Sequence, residues 1–224
     1  MESMTNFSAI ADGEGAIVAY PEGTKVSEDG TRSWNARFCC RDAMGVNADD
    51  IGFLSTLIDD LKERYDVRGV LVTGFSNGGM LAHLAGIELS NKITAIAPIA
   101  ASIGQVVIGM RPQRALPVLI VHGTDDRILP IGGTDDGRLL PVSTAVGYWV
   151  GANKCQDKPV TEFRNGFEVT KYAQCSDAAE VLFYRIWDAG HVWPGSRVRM
   201  RSEHDPGTMD ASAVIWDFFR AHLF

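Results

Sequence analysis

Apolar positions along this chain recur in two rhythms. Short continuous runs, several of them rich in β-branched residues, fall at Gly15–Tyr20, Gly69–Thr73, Ile93–Ile99, Leu116–Val121 and Glu180–Trp187. Such runs read as strands covered on both faces. Between them apolar residues are spaced three and four apart. Ile51, Leu54, Leu57, Ile58 and Leu61 do so within Asp49–Tyr65, and Val214, Ile215, Phe218 and Phe219 within Asp210–His222. That spacing predicts helices with one buried face. Two further helices are predicted from about Gly78 to Leu89 and over Ser143–Ala152. Val160–Phe163 and Phe167–Tyr172 flank Arg164-Asn-Gly166, and Asn-Gly is a strong hairpin turn signal. Residues 21–47, rich in Gly, Ser, Asn and charge, read as a long surface loop. Alternating strands and helices predict a doubly wound α/β sheet, mostly parallel, with helices on both faces. With no repeat, linker or low-complexity tract, residues 1–224 read as one domain.

Charge narrows the partners. The formal net charge is −7, which gives no general electrostatic reason to bind nucleic acid or an anionic membrane. Arg197, Arg199 and Arg201 form a local basic cluster, read as a solvated face rather than a phosphate site. No apolar run is long enough for a membrane-spanning helix. Residues 1–12 lack the basic start and apolar stretch of a signal peptide, which taken alone suggests the cytoplasm. The cysteines argue the other way. Cys155 and Cys175 stand at the outer ends of the predicted hairpin, where they either close a disulfide or remain two buried thiols. A bridge of that span contributes about 3 kcal/mol in the chain-entropy picture. The adjacent Cys39 and Cys40 read equally as free thiols or as a vicinal bridge. No C-x-x-C pair supports zinc, and Gly132-Gly-Thr-Asp-Asp-Gly137 reads as a Gly-rich turn rather than a cation loop. No metal or cofactor is expected.

The sharpest chemical signal is Gly74-Phe-Ser-Asn-Gly78, between a predicted strand and a predicted helix. That context is what a nucleophile elbow requires: Ser76 on a tight turn, exposed at a helix N-terminus that favours developing negative charge. A serine hydroxyl needs a base. His83 and His222 fall inside helices, His122 ends a strand, and His204 sits in a charged loop. His191 follows the strand Glu180–Trp187 in Asp188-Ala-Gly-His-Val-Trp-Pro-Gly195, at the strand end where open α/β sheets place their sites. It is the expected base, with His122 and His204 as alternatives. The orienting acid should lie between serine and histidine in chain order. Asp125 and Asp126 both follow the strand Leu116–Val121, and spacing alone does not choose between them.

These residues resemble the poly(3-hydroxybutyrate) depolymerase and feruloyl esterase group of serine esterases within the α/β-hydrolases. The matching pieces are Val18-Ala-Tyr-Pro-Glu-Gly23, Ser33-Trp-Asn-Ala36 with Cys39-Cys40, Asp49-Asp-Ile-Gly-Phe53, Thr73-Gly-Phe-Ser-Asn-Gly-Gly-Met80, His122-Gly-Thr-Asp-Asp-Arg-Ile-Leu-Pro130 and Gly190-His-Val-Trp-Pro-Gly195. The resemblance implies that Asp126 rather than Asp125 completes the triad with Ser76 and His191. It also implies that Cys155 pairs with Cys175, and that Trp34, Asn35 and Trp193 surround the site. The Asn77 backbone N–H would supply one oxyanion donor. One departure stands out: the family begins with strands and a His-Gly loop that precede a helix starting here near Ser3. The resemblance therefore implies an incomplete N-terminus, with a missing sheet member between Gly15–Tyr20 and Gly69–Thr73 and a missing second oxyanion donor. The expected function is hydrolysis of carboxylic esters through an acyl-enzyme, in a secreted protein. Feruloylated or acetylated polysaccharide, hydroxyalkanoate polyester and small esters are the candidate substrates. A serine peptidase or thioesterase on the same scaffold, or an inactive remnant, are the alternatives.

Overall fold

The computed structural model describes residues 1–39, 45–156, 158–196, 198 and 203–223. Cys40, Arg197, Arg199 and Arg201, singled out above, lie outside them. The chain runs α1 (Phe7–Glu14), β1 (Thr24–Lys25), β2 (Arg32–Ser33), α2 (Asp50–Arg64), β3 (Leu71–Phe75), α3 (Asn77–Glu88), β4 (Ala95–Ile99), β5 (Val118–Gly123) and α4 (Val142–Ala152). It continues with β6 (Val160–Arg164), β7 (Phe167–Tyr172), β8 (Val181–Ile186) and α5 (Ala211–Arg220).

Among the described residues six strands form one sheet in the order β3-β4-β5-β8-β7-β6. The first four are parallel, and the Asn165-Gly166 hairpin adds β7 and β6 antiparallel at one edge. Residues of the inner strands alternate between two cores. Ile96, Val118, Ile120 and Phe183 face Leu54 and Ile58 of α2, Leu84 of α3 and Trp149 of α4. Ala97, Ile99, Leu119, Val121 and Ile186 face Phe7 of α1 and Ile215 and Phe218 of α5. All residues of β4 and β5 are buried, which is why the sequence shows them as unbroken apolar runs. The helix starts are encoded locally. Asp49 accepts from Gly52 N–H (2.9 Å) ahead of α2, and Asp210 accepts from Ser212 and Ala213 N–H ahead of α5.

The strand expected at Gly15–Tyr20 does not form. Its residues alternate between half-buried and exposed, and Val18 and Tyr20 lean on the core that also receives Leu71 and Phe75. Among the described residues, however, the segment pairs with no strand. An apolar run supplies burial, but a strand also needs a ladder partner. β3 consequently stands at the edge of the sheet and is half-buried for most of its length. Its bounds also differ from the expected Gly69–Thr73: the ladder starts where Leu71 pairs with Ala95, and the Val70 amide is taken by the Thr94 hydroxyl (3.0 Å). The 21–47 loop contains the small β1–β2 ribbon, too short to leave a periodic trace in the sequence. Cys155 and Cys175 are joined, tying the end of α4 to the exit of the hairpin. Cys39 is also disulfide-bonded.

Candidate active site

Ser76, Asp126 and His191 leave the same end of the parallel sheet, after β3, β5 and β8. Ser76 is the cap residue of α3 and has φ 56° and ψ −122°, a strained conformation for a residue with a side chain. Two glycines make this turn possible. A Cβ on Gly74 would lie 2.3 Å from the Gly78 carbonyl oxygen, and one on Gly79 would lie 2.7 Å from Ala101 Cβ and 2.9 Å from the Gly74 carbonyl. Gly78 itself has room, its nearest neighbour being Trp34 Nε1 at 3.9 Å. The close approach of strand and helix thus depends on Gly74 and Gly79. Asn77 opens α3, so its backbone N–H stands in the first turn, where helix amides point outward along the axis. Its side chain holds the neighbouring loop: Oδ1 accepts from Trp34 N–H (2.7 Å) and the Ser33 hydroxyl (3.1 Å), and Nδ2 donates to the Trp34 carbonyl (3.0 Å).

His191 is 3% exposed and Asp126 is 4% exposed. His191 Nδ1 lies 2.8 Å from Asp126 Oδ2. A carboxylate only accepts, so Nδ1 carries the hydrogen and Nε2 is left to act as the base. Asp126 Oδ1 accepts from Ile128 N–H (3.0 Å) and Leu129 N–H (2.8 Å), so the acid is fixed by its own turn. The His191 ring packs against Phe75, the residue before the serine, with centroids 4.7 Å apart. Gly123 lets the loop bearing His191 reach this position: a Cβ there would lie 2.2 Å from the Ala189 carbonyl oxygen. That same carbonyl accepts from Asp125 N–H at 2.9 Å.

Three of the residues expected near substrate fare differently. Trp34 stacks on Phe53 (6.3 Å between centroids) and borders Gly78, so it stands beside the elbow. Asn35 is occupied in its own loop, with Nδ2 donating to the Ala48 carbonyl and Oδ1 accepting from Arg37 N–H. Trp193 corrects the expectation. It is 1% exposed, donates Nε1–H to the Ser212 hydroxyl (3.0 Å) and meets Phe7 edge-on in the core, so it presents no surface to a substrate. An indole two residues from His191 is as well suited to supporting the loop from beneath as to lining a cleft.

The other histidines separate cleanly. His204 is exposed, and what it contributes is its backbone carbonyl, which accepts from Gly190 N–H (2.8 Å). His222 bonds within α5's C-terminal turn and lies 3.6 Å from Glu180. His83 is wholly buried between α3 and α4, where its Nδ1 accepts from Trp149 Nε1–H (3.0 Å). Burial, reinforced by nearby His122, pushes His83 down to about 3. Glu203 is a contributor the sequence did not reveal: its Oε2 accepts from His191 N–H at 2.7 Å and so pins the His191 backbone. A carboxylate bonded to a backbone amide across 12 residues of loop leaves no pattern to read.

No protein-family profile matches the chain. Among the curated proteins similar to it in sequence are two whose names carry an esterase activity. One is a bifunctional acetylxylan esterase/xylanase of Neocallimastix patriciarum, 36% identical over 131 residues, covering 57% of this chain and 17% of that protein. The other is feruloyl esterase B of Piromyces equi, 27% identical over 203 residues, covering 85% of this chain and 36% of that protein. The chain thus spans only a fraction of the length of these relatives. An acetyl xylan esterase from Aspergillus awamori superposes with a TM-score of 0.55 at 14% identity, covering 85% of this chain and 78% of that one. The fold is that of the α/β-hydrolases, and the sequence relatives named here are esterases.

Proposed function

We propose that the chain is the catalytic domain of a serine carboxylic-ester hydrolase. The observation that carries this reading is the buried 2.8 Å His191–Asp126 pair set at the same sheet end as a serine on a strained elbow. Ser76 Oγ attacks the ester carbonyl while His191 Nε2 takes its proton. Asp126 keeps the imidazole in the required tautomer and stabilises the imidazolium that forms. The carbonyl oxygen becomes an oxyanion, which the Asn77 N–H at the α3 N-terminus is placed to receive. Collapse expels the alcohol, protonated by His191, and leaves an acyl-enzyme. Water, activated by the same histidine, then releases the acid.

The substrates are acetyl or feruloyl esters of plant polysaccharide, supported by the names of the two sequence relatives. Trp34, at the rim of the elbow, offers an apolar surface to an acyl or sugar group. The Cys155–Cys175 bridge supports secretion, since such bonds persist in oxidising compartments. The protein is expected to hydrolyse p-nitrophenyl acetate, and Ser76→Ala to lower kcat by up to about 10⁶-fold. Retained turnover in that variant would remove the reading. Release of acetate from acetylated xylan, compared with release of ferulate and of hydroxybutyrate from their polymers, ranks the substrates.

A further inference from the structure

Behind Asp126 lies a second histidine that the mechanism above does not use. His122 is 1% exposed and closes β5, four residues before the acid. Its Nε2 lies 2.8 Å from the Leu129 carbonyl oxygen and 3.5 Å from Asp126 Oδ2. A carbonyl only accepts, so Nε2 carries a hydrogen and the ring acts as a donor. The same Leu129 donates its N–H to Asp126 Oδ1 at 2.8 Å. The 126–129 turn is therefore held from both sides, with the carboxylate gripping one side of it and His122 the other.

The groups around His122 show what kind of donor it is. Asp126 and His191 lie beyond Nε2, His83 of α3 is close enough to be felt electrostatically, and Arg185 pairs with it in register on β8. At 3.5 Å from a carboxylate, a charged His122 would be one half of an ion pair. Burial pushes its pKa below the usual histidine value, against the opposing pull of the Leu129 carbonyl and Asp126, and keeps the ring neutral. A neutral dipole can orient Asp126 without competing with His191 for its charge.

We propose that His122 is a positioning residue for the triad acid: through Leu129, its Nε2–H sets the turn that aims Asp126 at His191. This rests on the esterase reading for its kinetic consequence but not for its structural one. If His122 lets go, Oδ2 drifts from Nδ1, and a displacement of order 1 Å in such a site costs about 10²-fold in rate. The loss should appear in kcat with KM little changed, because His122 touches no substrate.

The test compares His122→Gln with His122→Asn. Both are polar and buried alike, but only glutamine carries its amide far enough to stand where Nε2 stood. The acid limb of the pH–kcat/KM profile and the far-downfield proton signal of the His191 Nδ1–H are read beside thermal stability. His122→Asn should lower kcat by about 10-fold to 10²-fold, move the acid limb and lose or broaden the downfield signal. His122→Gln should recover most of all three. Equal losses in both variants, or a wild-type signal and profile in His122→Asn, would overturn the proposal. Should His122→Asn fail to fold, the ring nitrogen shifts of wild-type His122 decide: a bare Nε2 would overturn it as well. The proton signal and the tautomer are read without turnover, so failure of the esterase reading would be seen separately as absence of ester hydrolysis in the wild type.

Discussion

Asp125 and Asp126 share a peptide bond and little else. Asp125 is exposed and points to Arg127, itself a surface side chain, at 3.3 Å. Such exposed pairs contribute at most about 1 kcal/mol. Asp126 is turned inward, its two oxygens shared among two backbone amides and the His191 ring. In the turn after β5 the two successive side chains leave in different directions, Asp125 to Arg127 and Asp126 to His191. Asp126→Asn keeps the shape but can present an amide N–H to Nδ1, which favours the wrong tautomer. Its kcat should fall on the order of 10⁴-fold, while Asp125→Asn should change little. Initial rates on p-nitrophenyl acetate for the two variants check the ranking, and the reverse order would show that the acid had been misassigned.

At the scale of elements, legibility followed local encoding. The amphipathic helices, the Asn-Gly hairpin and the fully buried strands each announce themselves within a few residues, and the structure has them within two or three residues of the expected bounds. The elbow was legible for the same reason, being a strand, a turn and a helix in sequence. What was illegible depended on partners far along the chain: whether Gly15–Tyr20 would find a ladder, which face Trp193 would take, and that Glu203 would hold His191. His83 belongs to this group. Nine successive residues of α3, Gly79 to Ile87, are buried, so no polar face marks the histidine that bonds α4 through Trp149. The consequence is a pH dependence. Burial pushes the folded pKa of His83 from the ordinary histidine value of 6.5 down to about 3. A depressed folded value means that the unfolded chain binds the proton first, so stability is full above about 6.5 and is lost as pH falls below it. Each such group contributes a slope of about 1.4 kcal/mol per pH unit. Urea midpoints measured between pH 7.5 and 5, above the main carboxylate range, should decline with falling pH. His83→Asn keeps an acceptor near the indole and takes up no proton, so its slope should be shallower by one group's share. An unchanged slope would mean that His83 is not held neutral.

For the molecule as a whole, the sheet is asymmetric. One edge ends in the exposed hairpin strand β6, where charged residues are frequent: Glu162 and Arg164 pair on its surface. Such charges discourage pairing with other strands. The other edge is β3, which runs into the Ser76 elbow and is made of Leu71-Val-Thr-Gly-Phe75 with no charge at all. The ladder leaves a definite set of groups on that side. The Val70 carbonyl accepts from Thr94 N–H and Ser76 N–H donates to the Ile99 carbonyl, so even-numbered residues face β4. By strand alternation the peptide groups of Leu71, Thr73 and Phe75 face the open side. Among the described residues no strand pairs with that side, and half-buried backbone of this kind is a template for another strand. Amide hydrogen exchange should therefore alternate along β3 in dilute protein, with Val72 and Gly74 protected and Leu71, Thr73 and Phe75 exchanging with a local opening free energy near zero. As protein concentration rises, protection of those three amides should grow together with the mass measured by light scattering. Uniform protection of all five residues in the dilute monomer would show the edge to be covered, and growth of mass without change at these amides would place self-association elsewhere on the molecule.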